Sequence, residues 1–371
     1  MKPTYPESWR DLHVVLSHDW LTGMRGGERC LELLCDGMPD SEVFCLVHEP
    51  ENISDIINAH PIHTSRLQRM PFVRRRFRWL LPLLPRFVES MSTPQADLMV
   101  SMSHCVAKGL KPQPDTRHLC YCFTPMRYGI FYEEYFGANL AKQVLVRPIL
   151  ARLSGWDARA SDRVDRFVAI SHHVRRRIRE FYDREADVVY PPVDTDRCTP
   201  GEDGPGDFDL IVSALVPYKK IDLAVDAYRR TGYPLKIVGT GSDFRKLRSR
   251  AAPNVEFLGW QSDGEILDLY RACRFLIFPG EEDFGIVPVE AQACGRPVVA
   301  FGRGGLLEIL VDGETGVFFR RPTADSLIEA VEAAASRSWN STAIRQNALR
   351  FSTQRFIDEL DQSIQKCLSR N

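Results

Sequence analysis

The chain has no long hydrophobic run and no apolar segment near its start. Nowhere in its 371 residues do about 18 apolar side chains follow one another, the length that a membrane-spanning helix needs. Residues 1–10 lack the apolar core of a secretory signal. We therefore expect a cytoplasmic protein.

The ten cysteines show no spacing typical of a metal site. The nearest approach to one is the pair Cys120 and Cys122, which would point to the same face of a strand, but no second pair completes a site. Free thiols without an export signal are typical of a reducing cytosol. Zinc and a disulfide framework are disfavoured, and we expect no metal.

Positive charge is not in excess over the whole chain. The net charge is -1, which gives no reason to expect a nucleic-acid partner. The local distribution is uneven, because no acidic residue occurs between Asp55 and Glu89. The seven basic residues of that interval are Arg66, Arg69, Arg74, Arg75, Arg76, Arg78 and Arg86.

Leucines and aromatic residues are interleaved with these arginines. A basic amphipathic segment suits an anionic membrane surface, whereas the simpler alternative is a solvated face. We favour contact with a membrane or a lipid acceptor. The residues expected to make it are Arg74, Arg75, Arg76, Arg78 and Trp79.

Short apolar runs alternate with amphipathic, helix-like segments along the whole chain. Such alternation predicts parallel sheets with helical crossovers, and the length suggests two domains. The turn-rich residues 199–206 read as a linker. We predict two Rossmann-like, doubly wound α/β domains at 1–198 and 207–352, with a ligand between them at the carboxyl ends of the strands. A last helix occupies 353–371.

The strongest motif runs from Pro279 to Ala291. A buried strand ends before it, a glycine-containing loop follows, and a helix begins near Pro288, so backbone amides are available to bind an anion such as a diphosphate. Glu282 in the loop and Glu290 in the helix can accept hydrogen bonds from sugar or ribose hydroxyls. Taken alone, two glutamates eight residues apart would rather be helix-start charges stabilised by the helix dipole.

The spacing Glu282-x7-Glu290 resembles the signature of the retaining glycosyltransferases of family 4, which have the GT-B fold. Further segments match in order and spacing, and the resemblance as a whole extends over the chain. The matching segments are Phe301–Glu308, Asp312–Gly316, Val212–Leu223, Val238–Gly241 and Phe257–Gly259.

The resemblance implies a role for each matching residue. Glu290 is expected to hold the ribose, Glu282 the donor sugar, and Lys219 the diphosphate. The other residues expected at the nucleotide-sugar donor are Gly26, Gly27, Lys220, Phe284, Gly285, Ile286, Val287 and Arg303. His104 follows a strand and matches a family histidine, so it joins Glu282 and Lys219 as a catalytic candidate.

Two positions depart from the family pattern. Ala214 stands where an arginine is usual, and Phe123 where relatives often have histidine. Lys220 replaces a common glycine and adds a cation near Lys219. These departures leave open a rival hypothesis, a non-catalytic glycosyltransferase-like scaffold or binding protein.

Other classes fit less well. The segment Gly239–Phe244 is only a partial dinucleotide fingerprint, without its third glycine, which disfavours an oxidoreductase. No Asp-x-Asp pair ends a strand, which suits transfer without a metal. A phosphorylase of the same fold would be far longer and would need a cofactor-bearing lysine.

The motifs of residues 18–28, 103–109 and 124–128 resemble one branch of the family, the mannosyltransferases of O-antigen and exopolysaccharide assembly. The resemblance implies GDP-mannose as donor and a lipid-linked saccharide as acceptor, at the inner face of the cell membrane. Arg127 is placed with the acceptor. The last helix is expected to return to the first domain.

Overall fold

The computed structural model describes residues 2–70, 73, 77–126 and 140–369. The chain forms two compact units. The first comprises Lys2–Pro192 together with Phe356–Asn371, and the second comprises Val193–Arg355.

The first unit contains a parallel sheet of seven strands in its described part. Its order is β3-β2-β1-β4-β5-β6-β7. Every residue of β1 and β4 is buried, because helices cover both faces of a parallel sheet. The strands are β1 (Val14–His18), β2 (Glu42–Cys45), β3 (Ile62–Thr64), β4 (Leu98–Ser103), β5 (Arg117–Cys122), β6 (Arg166–Ala169) and β7 (Ala186–Val188).

Helices connect these strands. In the first of them, the side chains of Cys30, Leu31, Leu34 and Cys35 recur at helical spacing and are fully buried. The helices are α1 (Gly26–Gly37), α2 (Asp55–Asn58), α3 (Leu84–Glu89), α4 (Leu140–Ser161) and α5 (His172–Tyr182). At the start of helix α5, the Ser171 hydroxyl accepts the N–H of Val174.

The second unit repeats this plan with six parallel strands in the order β10-β9-β8-β11-β12-β13. The strands are β8 (Asp209–Val212), β9 (Leu235–Val238), β10 (Val255–Gly259), β11 (Leu276–Phe278), β12 (Val298–Phe301) and β13 (Gly316–Phe319). The helices are α6 (Ile221–Thr231), α7 (Phe244–Arg250), α8 (Asp263–Ala272), α9 (Ile286–Ala293), α10 (Leu306–Ile309), α11 (Ala324–Ala335) and α12 (Ser341–Leu349). The predicted fold class, two doubly wound α/β halves, is confirmed.

Each sheet has a point at which the strand order reverses. It lies between β1 and β4 in the first unit and between β8 and β11 in the second. Loops leaving the carboxyl ends of two such neighbouring strands diverge to opposite faces and leave a crevice, where ligands of open α/β sheets bind. We call these two places the switch points.

The predicted linker, residues 199–206, is part of the second unit, which begins at Val193 rather than at 207. Hydrogen bonds hold its backbone against the second unit. Gly206 N–H donates to Ala272 O at 2.8 Å, and the Arg271 guanidinium donates to Thr199 O at 2.9 Å. The turn-forming composition of this stretch therefore marks a packed surface loop and not a boundary.

The last helix, α13 (Thr353–Leu368), has most of its residues in the first unit. The Trp9 indole donates to the carboxylate of Asp361 at 2.8 Å, and the Ser363 hydroxyl donates to Asp187 at 3.2 Å. The ring of Phe356 meets that of Tyr121 edge-on at 5.6 Å. This helix completes the hydrophobic core of the first unit.

In the described part of the chain, no helix combines the length and the hydrophobicity required to cross a bilayer. Several apolar residues of the arginine-rich segment are buried in the first unit, among them Leu67, Val73, Leu81 and Leu84. Core packing thus explains much of the apolar content that suggested membrane contact.

Candidate active site

Lys219 and Glu282 form an ion pair at the switch point of the second unit. Lys219 ends a short 3-10 turn after β8, and Glu282 lies in the loop after β11. The Lys219 ammonium contacts Oε1 of Glu282. It also lies 5.5 Å from the ring centroid of Tyr218 and 5.8 Å from that of Phe278. With side-chain exposures of 18% and 16%, both charges are largely shielded from water, which strengthens their interaction with a charged ligand.

Lys220, the next residue, has a left-handed backbone conformation with φ of 54°. Side chains other than glycine avoid this region because Cβ crowds the backbone. The position is therefore one that glycine would occupy without strain, in agreement with the usual family residue. Lys220 is exposed, as is Ala214 after β8.

Helix α9 begins beside Glu282. Gly285 precedes it with φ of 133°, a conformation open only to glycine. The N–H groups of Ile286 and Val287 belong to the first turn, where a helix offers them no acceptor, and the helix dipole makes this end attractive to an anion. The loop that carries Glu282 is also held by the segment after β12, because Gly305 N–H donates to Glu282 O at 2.8 Å.

Glu290 lies in the second turn of α9 and is held by two neighbours. The hydroxyl of Tyr270, on α8, donates to its Oε2 at 2.9 Å. Nη2 of Arg197 lies 3.9 Å from Oε1 of Glu290. Burial first, and then the charge of Glu290, raise the pKa of the Tyr270 phenol well above its usual value, so it remains a donor.

In the first unit, the carboxylate of Asp19 lies at the switch point and binds the start of the loop after β4. Its oxygens accept four consecutive backbone N–H groups, from His104, Cys105, Val106 and Ala107, at 2.5 to 3.0 Å. Burial alone would raise the pKa of Asp19, but His104 and these hydrogen bonds hold it well below the usual range.

The same carboxylate orients His104. Oδ2 of Asp19 lies 2.9 Å from Nδ1 of His104, and a carboxylate only accepts, so Nδ1 carries the proton. The imidazole stands edge-on to Trp20, with ring centroids 4.7 Å apart. Nε2 is thereby left as the chemically active nitrogen of a ring with fixed orientation.

Gly27, in the first turn of α1, packs against two rings. A Cβ placed there would lie 3.2 Å from Nε2 of His18 and 3.2 Å from the ring of Phe123. Glycine thus lets the start of α1 approach the ends of β1 and β5. Arg25 N–H, just before the helix, donates to Glu28 at 3.2 Å.

Two family models match the chain. Glycosyltransferase Family 4 matches residues 24–197, and Glycosyl transferases group 1 matches residues 194–351. Together they cover residues 24–351, so both halves of the chain are similar to glycosyltransferases, and both have the parallel α/β architecture of the GT-B fold. The two matched regions agree closely with the two structural units.

Curated relatives match parts of the chain. An uncharacterised glycosyltransferase of Methanocaldococcus jannaschii is 31% identical over 177 residues, 46% of this chain and 50% of that protein. A D-inositol 3-phosphate glycosyltransferase of Mycobacteroides abscessus is 35% identical over 222 residues, covering 49% of this chain and 48% of the relative. The chain thus spans about half the length of the curated relatives that it matches.

Solved structures match nearly all of it. HepE of Anabaena, in complex with UDP and glucose, has a TM-score of 0.69 at 17% identity and covers 97% of this chain and 100% of its own. Sucrose-phosphate synthase of Thermosynechococcus elongatus has a TM-score of 0.74 at 17% identity, with 95% and 98% covered. At these identities the likeness establishes the fold.

Several residues expected from the glycosyltransferase resemblance converge around the start of α9. Lys219, Glu282, Gly285, Ile286 and Val287 lie there. Phe284 does not face a ligand, because its side chain is 3% exposed and packs on Phe351 with ring centroids 5.5 Å apart. It anchors the loop instead.

The remaining expected residues are more dispersed. Arg303 follows β12, and its guanidinium lies 5.8 Å from the ring of Phe301. Arg74, Arg75, Arg76 and Arg127 lie outside the described residues. Arg78 and Trp79 are in the 3-10 helix Phe77–Leu83, whose backbone alone is described at those positions.

Sequence reasoning gave no role to Asp19, Arg197 or Tyr270. Asp19 had a signal that could have been used, since it is an acidic residue directly after a buried strand at a switch point. Tyr270 had none, because a tyrosine on an amphipathic helix is ordinarily a core residue.

Proposed function

We propose that the protein is a retaining glycosyltransferase that moves a hexose from a nucleotide-diphosphate sugar to a hydroxyl of an acceptor. The observation that carries this proposal is the position of Lys219 beside Glu282 and the start of α9. A partly buried cation, a set of helix-start amides and a carboxylate match a diphosphate and the sugar attached to it.

The reaction breaks the bond between the anomeric carbon and the diphosphate, and the electron pair leaves with the nucleotide diphosphate. Lys219 and the amides of Ile286 and Val287 stabilise that charge. The acceptor oxygen bonds to the anomeric carbon from the same face, and its proton passes to the leaving phosphate. Glu282 exchanges part of its contact with Lys219 for hydroxyls of the donor sugar.

The other site residues hold the remainder of the substrates. Glu290 accepts hydrogen bonds from the ribose hydroxyls. In the first unit, His104 acts as the catalytic histidine, oriented by Asp19, and Gly26 and Gly27 let the backbone approach the donor. The positive and polar groups at the diphosphate supply the charge stabilisation that a metal ion would otherwise provide, so the transfer requires no metal.

The substrates that we propose are GDP-mannose and a lipid-linked saccharide in cell-surface polysaccharide assembly, at the cytoplasmic face of the membrane. Support comes from the motifs of residues 18–28, 103–109 and 124–128. Structural neighbours include HepE in complex with UDP-glucose, so UDP-sugars belong in any test.

The test is nucleotide release by the purified protein from a panel of GDP- and UDP-sugars, with and without a lipid extract. Release from GDP-mannose alone, increased by the extract, is the expected result. Release from another donor would retain the enzyme and refute the sugar assignment.

Ala214 and Phe123 support a second candidate, a glycosyltransferase-like scaffold. Ala214 leaves an exposed position without the usual cation after β8. Absence of both binding and turnover across the whole donor panel would favour this candidate over the enzyme.

A further inference from the structure

Tyr270 makes a hydrogen bond that the packing of its ring does not require. Its side chain is 1% exposed on α8, yet its hydroxyl points at α9 and donates to Oε2 of Glu290 at 2.9 Å. A buried phenol needs a hydrogen-bond partner, and a carboxylate acceptor makes the bond charge-assisted. Its donor capacity is thus committed to the residue expected at the ribose.

The hydrogen bond limits how Glu290 can turn. The last torsion of a glutamate is broad, so a carboxylate without such a donor samples many orientations. With Oε2 fixed by Tyr270, Oε1 is directed toward Arg197, whose Nη2 lies 3.9 Å away. Arg197 is itself held by the start of α8, with Nη1 3.4 Å from the carboxylate of Asp263.

We propose that Tyr270 is a positioning residue for nucleotide recognition, which fixes the Glu290 carboxylate in the orientation that accepts the ribose hydroxyls. The inference rests on the proposed function, in which Glu290 binds the ribose. Tyr270 makes no contact with the substrate itself. It lowers the cost of binding because the carboxylate is ordered before the nucleotide arrives.

The experiment compares Tyr270→Phe with the wild-type chain. Phenylalanine keeps the ring and its packing and deletes only the hydroxyl. The readout is the affinity for GDP and UDP and for their 2′,3′-dideoxy forms, measured by calorimetry. A merely structural tyrosine would affect thermal stability but not the ratio of the two affinities.

The wild-type chain is expected to bind the ribonucleotide at least about tenfold more tightly than the dideoxy form, the effect of losing hydrogen bonds to a charged group. Tyr270→Phe should reduce that ratio about fivefold. In a Glu290→Gln background, the same Tyr270→Phe change should leave the ratio unaltered, since Tyr270 acts through Glu290.

An unchanged ratio in Tyr270→Phe, with the wild type discriminating, would overturn the inference and leave the proposed function standing. An equal effect of Tyr270→Phe with and without the Glu290 change would also overturn it. A wild-type chain that binds neither GDP nor UDP would overturn both the inference and the function on which it rests.

Discussion

Asp19 and His104 are joined twice. The Asp19 carboxylate accepts the backbone N–H of His104 at 2.8 Å and also lies 2.9 Å from its ring Nδ1. One buried charge therefore positions both the loop after β4 and the catalytic candidate that the loop carries. Asp19 and His104 can each be changed alone, which separates the structural effect of the carboxylate from the functional effect of the imidazole.

Asp19→Asn should destabilise the protein by about 3 kcal/mol, because an amide nitrogen would face N–H donors that now bind a carboxylate oxygen. Urea unfolding measures the change. His104→Ala is the matched control: it leaves the four backbone N–H groups on the Asp19 carboxylate, so its stability loss should be smaller than that of Asp19→Asn, while transfer activity falls. Equal stability losses in the two variants would contradict this assignment.

Lys219→Ala should lower kcat about 10²- to 10³-fold, the cost of removing one group that stabilises a developing negative charge. Steady-state kinetics with the donor identified by the panel gives the value. The loss should appear in kcat more than in KM, because the leaving diphosphate gains charge in the transition state. A change confined to KM would show that Lys219 only binds the donor.

Lys220→Gly should raise the free energy of unfolding by up to about 1 kcal/mol. Glycine removes the strain of a left-handed conformation, and its larger entropy loss on folding offsets only part of that gain. Thermal unfolding tests the stability, and turnover should remain far closer to wild type than in Lys219→Ala. A lower melting temperature would contradict the prediction.

His118 makes folding stability depend on pH. It is fully buried on β5, its Nδ1 donates to Arg163 O, and its Nε2 accepts from the Ser101 hydroxyl at 2.8 Å. Burial lowers its pKa from 6.5 to about 3. Between those values the unfolded chain binds the extra proton and the folded chain does not, so stability falls as the pH falls, approaching about 1.4 kcal/mol per pH unit.

The control for this dependence is His118→Asn, which keeps a donor for Arg163 O but cannot titrate. Urea unfolding between pH 6.5 and 5.5, above the range in which most carboxyl groups titrate, should give a flatter profile for the variant. Parallel profiles for the two proteins would show that His118 is not the source.

Chelation of divalent cations should leave sugar transfer intact. Lys219 and the first amides of α9 already supply positive charge at the proposed diphosphate site. The measurement is turnover before and after EDTA treatment, followed by addition of Mg²⁺ or Mn²⁺. A rate that disappears with EDTA and returns with either ion would refute metal-independent transfer.

The alternating pattern of the sequence was sufficient to predict the two parallel α/β halves, but not where each element ends. The apolar run of residues 12–16 indicates a strand there, whereas β1 lies at Val14–His18. The polar pair Ser17 and His18 is buried at the switch point, where the Ser17 hydroxyl donates to Ala107 O at 3.1 Å. Periodicity cannot reveal a buried polar residue whose partner is 90 residues away.

The residues of the site could likewise be predicted only in part from the sequence. The motif around Glu282 and Glu290 was visible because its residues are close in sequence and adjoin a strand and a helix. The pairing of Lys219 with Glu282 spans 63 residues and depends on the strand order of the folded sheet. Likewise, no local pattern indicates that one aspartate binds four consecutive amides of a distant loop.

The place of α13 has a consequence for how the protein is made. During translation, residues 193–352 are all synthesised before α13. Trp9 receives its partner Asp361 only after 352 further residues have been synthesised. The first unit therefore completes its packing only after the second has been translated.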